Sequence, residues 1–412
     1  MDLRELKALE LAARSKIAFD GERWVVPSQS SLGAYRVTID PDGCECEDFA
    51  LRKAACKHVI AARLVCERDH GGKAPEIVTD AVPKRPTYRQ NWSAYNLAQH
   101  TEKHRLQVLL AELCAGVREP EYAGTGRRPV RMADRLFACI FKVYSTVSSR
   151  RFACDLNGAT DAGHLSRSVH PNKVNEWLAE AELTESLRDL VVRSALPMIP
   201  LEEKFAVDSS GFSTSRFVRW FDEKYGVERS GHQWIKSHIL VGCRTNVAVA
   251  IEMTNKDVND CPLLPDLAHQ ANERGFKIKE LCGDRRYLSV ANAEAIYELG
   301  ALPFLAPKVN TTGGEGGLFG KMVGYYQYRR EDFLKHYHQR SNVESTFSAV
   351  KRKFGDAVRA RTDAAMANEV LAKFVCFNLT RVILSQVELG IEANFWPKDE
   401  GPRDLIPLRC GG

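Results

Sequence analysis

Three acids in this chain stand where metal-dependent phosphodiester chemistry could use them. Lys204-Phe205-Ala206-Val207-Asp208 and Lys279-Glu280-Leu281-Cys282-Gly283-Asp284 are short β-type runs, each ending on a carboxylate. Ser209-Ser210-Gly211 after the first predicts a turn. The third acid, Glu344, belongs to a set in which Tyr337, Arg340, Glu344 and Lys351 follow at intervals of 3, 4 and 7. On one continuous helix those offsets make a single stripe. One acid among strong bases is poor core material. It suits a carboxylate ligand beside cations that hold phosphate, Arg as a planar fork and Lys as a point charge. Two hard cations about 4 Å apart need a bridging carboxylate and flanking ones. Oxygen donors of this kind favour Mg²⁺ or Mn²⁺. Taken singly, a strand-end Asp ordinarily caps a turn and a Glu–Lys spacing marks a solvated helix face; their conjunction outweighs that reading.

A second cluster is made of soft ligands. Nine of the 12 cysteines stand alone and read as small buried hydrophobes, but Cys44-Glu45-Cys46 is followed, after nine intervening residues, by Cys56-Lys57-His58. Cys44, Cys46, Cys56 and His58 satisfy one tetrahedral Zn²⁺ as a closed, structural Cys₃His site. Pro41-Asp42-Gly43 predicts a turn, so residues 35–39 form a strand running into the first ligand pair. Residues 59–65 follow a helical pattern, which puts His58 in a first turn.

The elements around the acids alternate. After the first run, residues 234–243 and 246–253 predict strands joined by Arg244-Thr245, an antiparallel meander. Residues 265–274 and 290–299 predict helices, and residues 302–306 a last short strand. With the helix carrying Glu344 the order is β-β-β-α-β-α-β-α, which resembles an RNase H-like nuclease core. The expected fold is α/β: a mixed sheet flanked by helices, preceded by a small zinc module and a helical domain. The boundaries expected are a zinc module at 1–69, a linker at 70–91 rich in proline and glycine, helices at 92–200, the catalytic domain at 201–390 and a tail at 391–412. Within the helical part, residues 92–117, 132–156 and 172–192 carry helical periods. The junction from His164 to Lys173, near Arg127, Arg128, Arg131, Arg150 and Arg151, reads either as a plain bundle turn or as a DNA-binding helix-turn-helix.

Two resemblances sharpen this. The spacing of Cys44, Cys46, Cys56 and His58, with Trp24-Val25-Val26-Pro27-Ser28 and Tyr35 before it, resembles the SWIM zinc module, a DNA- or protein-binding element. Tyr337, Arg340, Glu344 and Lys351 reproduce the signature of the insertion-sequence DDE transposases of the Tyr-Arg-Glu-Lys group, and residues 207–211 and 283–287 resemble its two Asp regions. That resemblance implies that Asp208, Asp284 and Glu344 bind two Mg²⁺ (or Mn²⁺) ions. It also implies that Tyr337, Arg340 and Lys351 contact phosphates of transposon-end DNA, and that a homodimer acts on paired ends. Residues 285–343 leave little room for the large β insertion of some members, and the zinc module is not part of the usual pattern.

The implied activity is DNA transposition, by metal-dependent cleavage of transposon ends and strand transfer into target DNA. The alternatives are a DNA-binding regulatory protein that keeps the core as scaffold, and a repair or junction nuclease. Composition is compatible with each: 412 residues, 44% hydrophobic, 27% charged and net +5. Seven bases against two acids between Phe333 and Arg361 make an excess equal to that of the whole chain, a phosphate-binding surface around the proposed third ligand. The N-terminal residues carry charges throughout, and the apolar run at 371–384 is interrupted by Lys373, Asn378 and Arg381. Neither a signal peptide nor a membrane span is expected, and the location is cytoplasmic, with the nucleoid if bacterial. The glycine-rich stretch from Thr311 to Lys321 fails the phosphate-loop pattern, because Glu315 stands where glycine is required and Met322 where Ser or Thr is. Ser209 and Ser210 have no paired base, and His336 and His338 are poor ligands for hard cations.

Overall fold

The computed structural model describes residues 2–29, 33–72, 91–126, 128–214, 234–255, 257–308, 311 and 316–396. Residues 73–90 of the expected linker, Arg127, residues 312–315 of the glycine-rich stretch and the tail beyond Trp396 lie outside them. The chain forms two compact units, Met1–Arg89 and Gln90–Gly412.

In the first unit, α1 (Leu3–Arg14) precedes an antiparallel sheet of β1 (Ala18–Phe19), β2 (Trp24–Pro27), β3 (Ala34–Ile39) and β4 (Asp42–Cys44), then α2 (Glu47–Arg52) and α3 (Lys57–His70). Trp24 and Val26 alternate inward on β2 and meet Val37 of β3, Leu11 of α1 and Val59 and Val65 of α3. Alternation of this kind is what a half-buried strand requires.

The second unit begins with α4 (Trp92–Ala115), α5 (Met132–Ser145), α6 (Ser149–Asp161), α7 (Pro171–Leu178) and α8 (Glu182–Ala195). The pattern at 132–156 is two helices rather than one, because Thr146 adopts a left-handed φ of 55° that ends α5. The pattern at 172–192 is likewise divided, with Pro171 in the first turn of α7. These helices do not stand apart from the sheet; one continuous hydrophobic core runs from α4 through the strands.

The sheet holds β5 (Lys204–Thr214), β6 (Trp234–Gly242), β7 (Ala248–Asn255), β8 (Glu280–Gly283), β9 (Leu302–Leu305) and β10 (Ala357–Val358). Its order is β7-β6-β5-β8-β9, with β10 also on β5. β5, β6 and β7 pair antiparallel, and β5, β8 and β9 parallel. The mixed α/β sheet is therefore as the sequence predicts, except that the expected turn at Ser209-Ser210-Gly211 is strand. β5 pairs with β6 from Phe205 to Ser213, so Asp208 is mid-strand and not at a strand end. Pairing with a nine-residue neighbour overrides the local turn preference of serine and glycine. Gly211 is required there, since a Cβ would lie 1.9 Å from the Trp234 ring.

Around the sheet lie α9 (Leu264–Glu273), α10 (Val290–Glu298), α11 (Gly317–Tyr328), α12 (Arg330–Tyr337), α13 (Ser341–Phe354) and α14 (Asp363–Leu389). By length and composition α14 could cross a membrane, but 72% of its most apolar window is buried inside the unit. Its buried Asn378 accepts from the Ala248 amide at 2.8 Å and donates to the carbonyls of Ala248 and Val191 at 2.8 and 3.0 Å, fastening β7 to α8. A buried side-chain amide satisfied on every side is a connector within a core.

Candidate active site and metal centre

Parallel pairing of β5 with β8 ends at Val207 opposite Gly283, so Asp208 and Asp284 are the next residues on neighbouring strands. Gly283 is wedged where a Cβ would come within 2.8 Å of Leu305 and 3.0 Å of Val207. β10 joins the same edge of β5 only from Ser213 onward, which leaves a notch beside residues 208–212.

Glu344 reaches this notch from the first turn of α13, where a carboxylate suits the helix dipole. The four signature residues do not share one helix. Tyr337 ends α12, a 3₁₀ turn spans His338–Arg340, and α13 starts at Ser341. The kink retains the convergence: Arg340 Nη2 lies 2.6 Å from Glu344 Oε1, and its Nη1 lies 3.6 Å from Asp208 Oδ2. The Arg340 guanidinium lies 6.0 Å from the centre of the Tyr337 ring. Lys351 Nζ donates to Ser210 Oγ at 2.7 Å and sits 5.1 Å from the Phe212 ring centre. Asp208, Ser210 and Phe212 share one face of β5 by alternation, so the 3₁₀ turn and α13 approach that face.

Burial pushes the Asp208 carboxyl up to about 6. The Ser209 amide, donating to Oδ1 at 2.8 Å, opposes that shift, Asp284 and Glu344 add to it, and Arg340 opposes it. Asp208 therefore feels the charge of both other acids. Asp284 Oδ1 accepts from the Arg286 amide at 2.7 Å. Burial raises the Tyr337 phenol, leaving it a hydrogen-bond donor at neutral pH.

In the first unit the three thiols and His58 bring their ligand atoms within 4.8 Å of one another, and Cys44 and Cys56 Sγ each lie 3.8 Å from His58 Nδ1. Bonds of about 2.3 Å to sulfur in a tetrahedron separate ligands by about that much. Cys46 and Cys56 cap α2 and α3, so the knuckle and the helix starts are one structure. The Tyr35 ring packs on His58 with centroids 4.5 Å apart. Hydrogen bonding to Cys44 and His58 holds the Cys56 thiol down against its burial, and the same contact pushes the Cys44 thiol up, so the two sulfurs share one proton-poor cluster.

Residues 199–379 match the transposase DDE domain, and residues 35–67 match the SWIM zinc finger. The chain carries a transposase DDE domain behind a SWIM zinc finger. No curated protein matches it. DDE domains act on DNA with divalent metal ions and have an RNase H-like core, which agrees with the mixed sheet described above.

The donor sets of the SWIM finger and the DDE domain suit different ions. Three sulfurs and an imidazole fit Zn²⁺, whereas the carboxylates flanking the β5 notch offer only hard oxygen. Sequence reasoning missed that Ser210 accepts from Lys351, and it missed the ion pairs of Asp260 with Lys236 and Arg286 behind the sheet. The alternation of β5 could have revealed Ser210 had its strand been extended. Nothing local marks Asp260, whose partners come from β6 and the turn after β8.

Proposed function

We propose that the chain is a DNA transposase of the Tyr-Arg-Glu-Lys group, which cleaves element ends and joins the freed 3′-hydroxyl to target DNA. The observation that carries the reading is the convergence of Asp208, Asp284 and Glu344 on one notch, with Arg340 bridging two of them. Asp208, Asp284 and Glu344 would hold two Mg²⁺ (or Mn²⁺) ions, and Cys44, Cys46, Cys56 and His58 one structural Zn²⁺. Such a carboxylate-held metal pair supplies Lewis acidity to the attacking and leaving oxygens of an in-line displacement. Arg340 offers a guanidinium fork to a phosphate beside the acids, and Tyr337 a phenolic proton. Lys351, immobilised on Ser210 and partly desolvated, places a point charge one helix turn or more along the same surface. Ser209 and Ser210 have no paired base, and the attacking oxygen is that of water or of a DNA 3′-end.

A homodimer on paired ends follows from the same resemblance, and a cytoplasmic location, nucleoid-associated if bacterial, suits that activity. The helices at 92–200 and the SWIM finger are the parts available for end recognition. Labelled DNA containing the sequences that flank the coding region, incubated with Mn²⁺ and the protein, is expected to yield cut and joined products. Cut products without joining would instead indicate a repair or junction nuclease, and no nicking of any DNA a regulatory protein.

A further inference from the structure

The face of β5 turned away from α13 carries a buried charged cluster outside the site described above. Ser209 lies opposite His238 in the β5–β6 pairing, and Gly211 opposite Lys236, so both basic side chains belong to this face. Between them sits Asp260, 3% exposed, just before the 3₁₀ turn Cys261–Leu263. Its carboxylate pairs with Lys236 Nζ, lies 3.4 Å from His238 Nδ1 and lies 3.6 Å from Arg286 Nη1. His238 is itself fully buried and bonds Thr254 Oγ1 at 2.8 Å. Lys236 also donates to the Val258 carbonyl at 3.2 Å.

Arg286 connects this cluster to the front of the sheet. Its backbone amide holds Asp284 Oδ1, while its side chain, 74% exposed, reaches back to Asp260. Buried Asn292 adds a second tie, donating to the carbonyls of Cys261 and Tyr287 at 2.9 and 2.8 Å. The segment carrying Asp260 and the turn carrying Asp284 are thus sewn together at two points. Asp260 is no ligand candidate, because its oxygens face three basic side chains and it has almost no access to solvent. A buried ion pair of this kind adds little stability over an apolar replacement. It does fix geometry, and partners that orient a ligand typically govern 10–100-fold in metal affinity.

We propose that Asp260 is a positioning residue for the metal site, which grips Arg286 and so holds the Asp284 carboxylate toward Asp208. The proposal rests on the reading of Asp284 as a metal ligand. Mn²⁺ binding to the full chain is measured from the free-ion electron paramagnetic resonance signal, beside Mn²⁺-dependent cleavage and DNA affinity. Asp260→Asn and Arg286→Ala are each expected to weaken Mn²⁺ binding roughly tenfold, to recover cleavage at saturating Mn²⁺, and to leave DNA affinity unchanged. Asp260→Asn leaves Lys236 buried without its carboxylate; if it does not fold, Arg286→Ala, altered at an exposed side chain, decides alone. A folded Arg286→Ala with wild-type Mn²⁺ affinity, or with only DNA affinity changed, overturns the proposal. Asp284→Ala separates the two levels. If it keeps full Mn²⁺ binding and cleavage, the ligand assignment itself fails; if it loses both while Arg286→Ala does not, only the role of Asp260 falls.

Discussion

Asp208 is held in opposition: burial and its fellow acids favour the proton, while the Ser209 amide and Arg340 favour the charge, with the balance near 6. In the unfolded chain an aspartate ionises near 3.9. The sign follows from that difference. Between those values the folded state holds a proton that the unfolded state has lost, so this group's contribution to stability falls as pH rises. A cation bound at the site reverses the trend, because it binds the ionised form. The expected outcome is that Mn²⁺ raises the melting temperature more at pH 7 than at pH 5, as followed by calorimetry at both values. A shift that is equal or larger at pH 5 would contradict it. Lys351→Ala, in turn, should weaken end binding and reduce the salt slope of log K by about 1, as for one lost phosphate contact, in a filter-binding series. The signature at Tyr337, Arg340, Glu344 and Lys351 was legible because the four side chains of the proposed site lie within 15 residues of local chain. Asp260 was not, since its meaning comes from Lys236 and Arg286, each more than 20 positions away.

Elements were legible where one period dominates and not where tertiary pairing decides. The meander of β6 and β7 follows from two largely buried runs joined by a short turn, and the zinc knuckle from turn residues and paired ligands close in sequence. The length of β5 does not, because Ser209-Ser210-Gly211 carries turn chemistry and only the partner strand extends it. Nor does the kink at His338–Arg340, which spacing alone reads as uninterrupted helix. The SWIM finger should depend on its ion more than the DDE unit does. Its sheet is four short strands, and both flanking helices start at ligands. Chelation of zinc, or Cys56→Ser, is expected to open Met1–Arg89 to limited proteolysis while Gln90–Gly412 keeps its melting transition. Equal loss of both units, or of neither, would contradict this.

Across Gln90–Gly412, helices and sheet share one hydrophobic core. The sequence divides residues 92–200 from the catalytic part, yet Asn378 of α14 joins β7 to α8 through four buried hydrogen bonds, one of them to Ser194. Long-range bonds of this sort leave no mark in composition or period. Asn378→Ala strands buried amides and carbonyls, and should cost about 3 kcal/mol in denaturant unfolding without changing the single transition of this unit. The charge of the chain also acquires a place at this scale, since the seven bases of 333–361 lie on the segment that presents Glu344. The most direct measurement is Mg²⁺-dependent cleavage of labelled end DNA by Asp208→Asn, Asp284→Asn and Glu344→Gln beside the unaltered protein. Each variant should bind the DNA and fail to cut it, by a factor of about 10³ or more. Near-full cleavage by any one of the three would contradict the assignment of the triad.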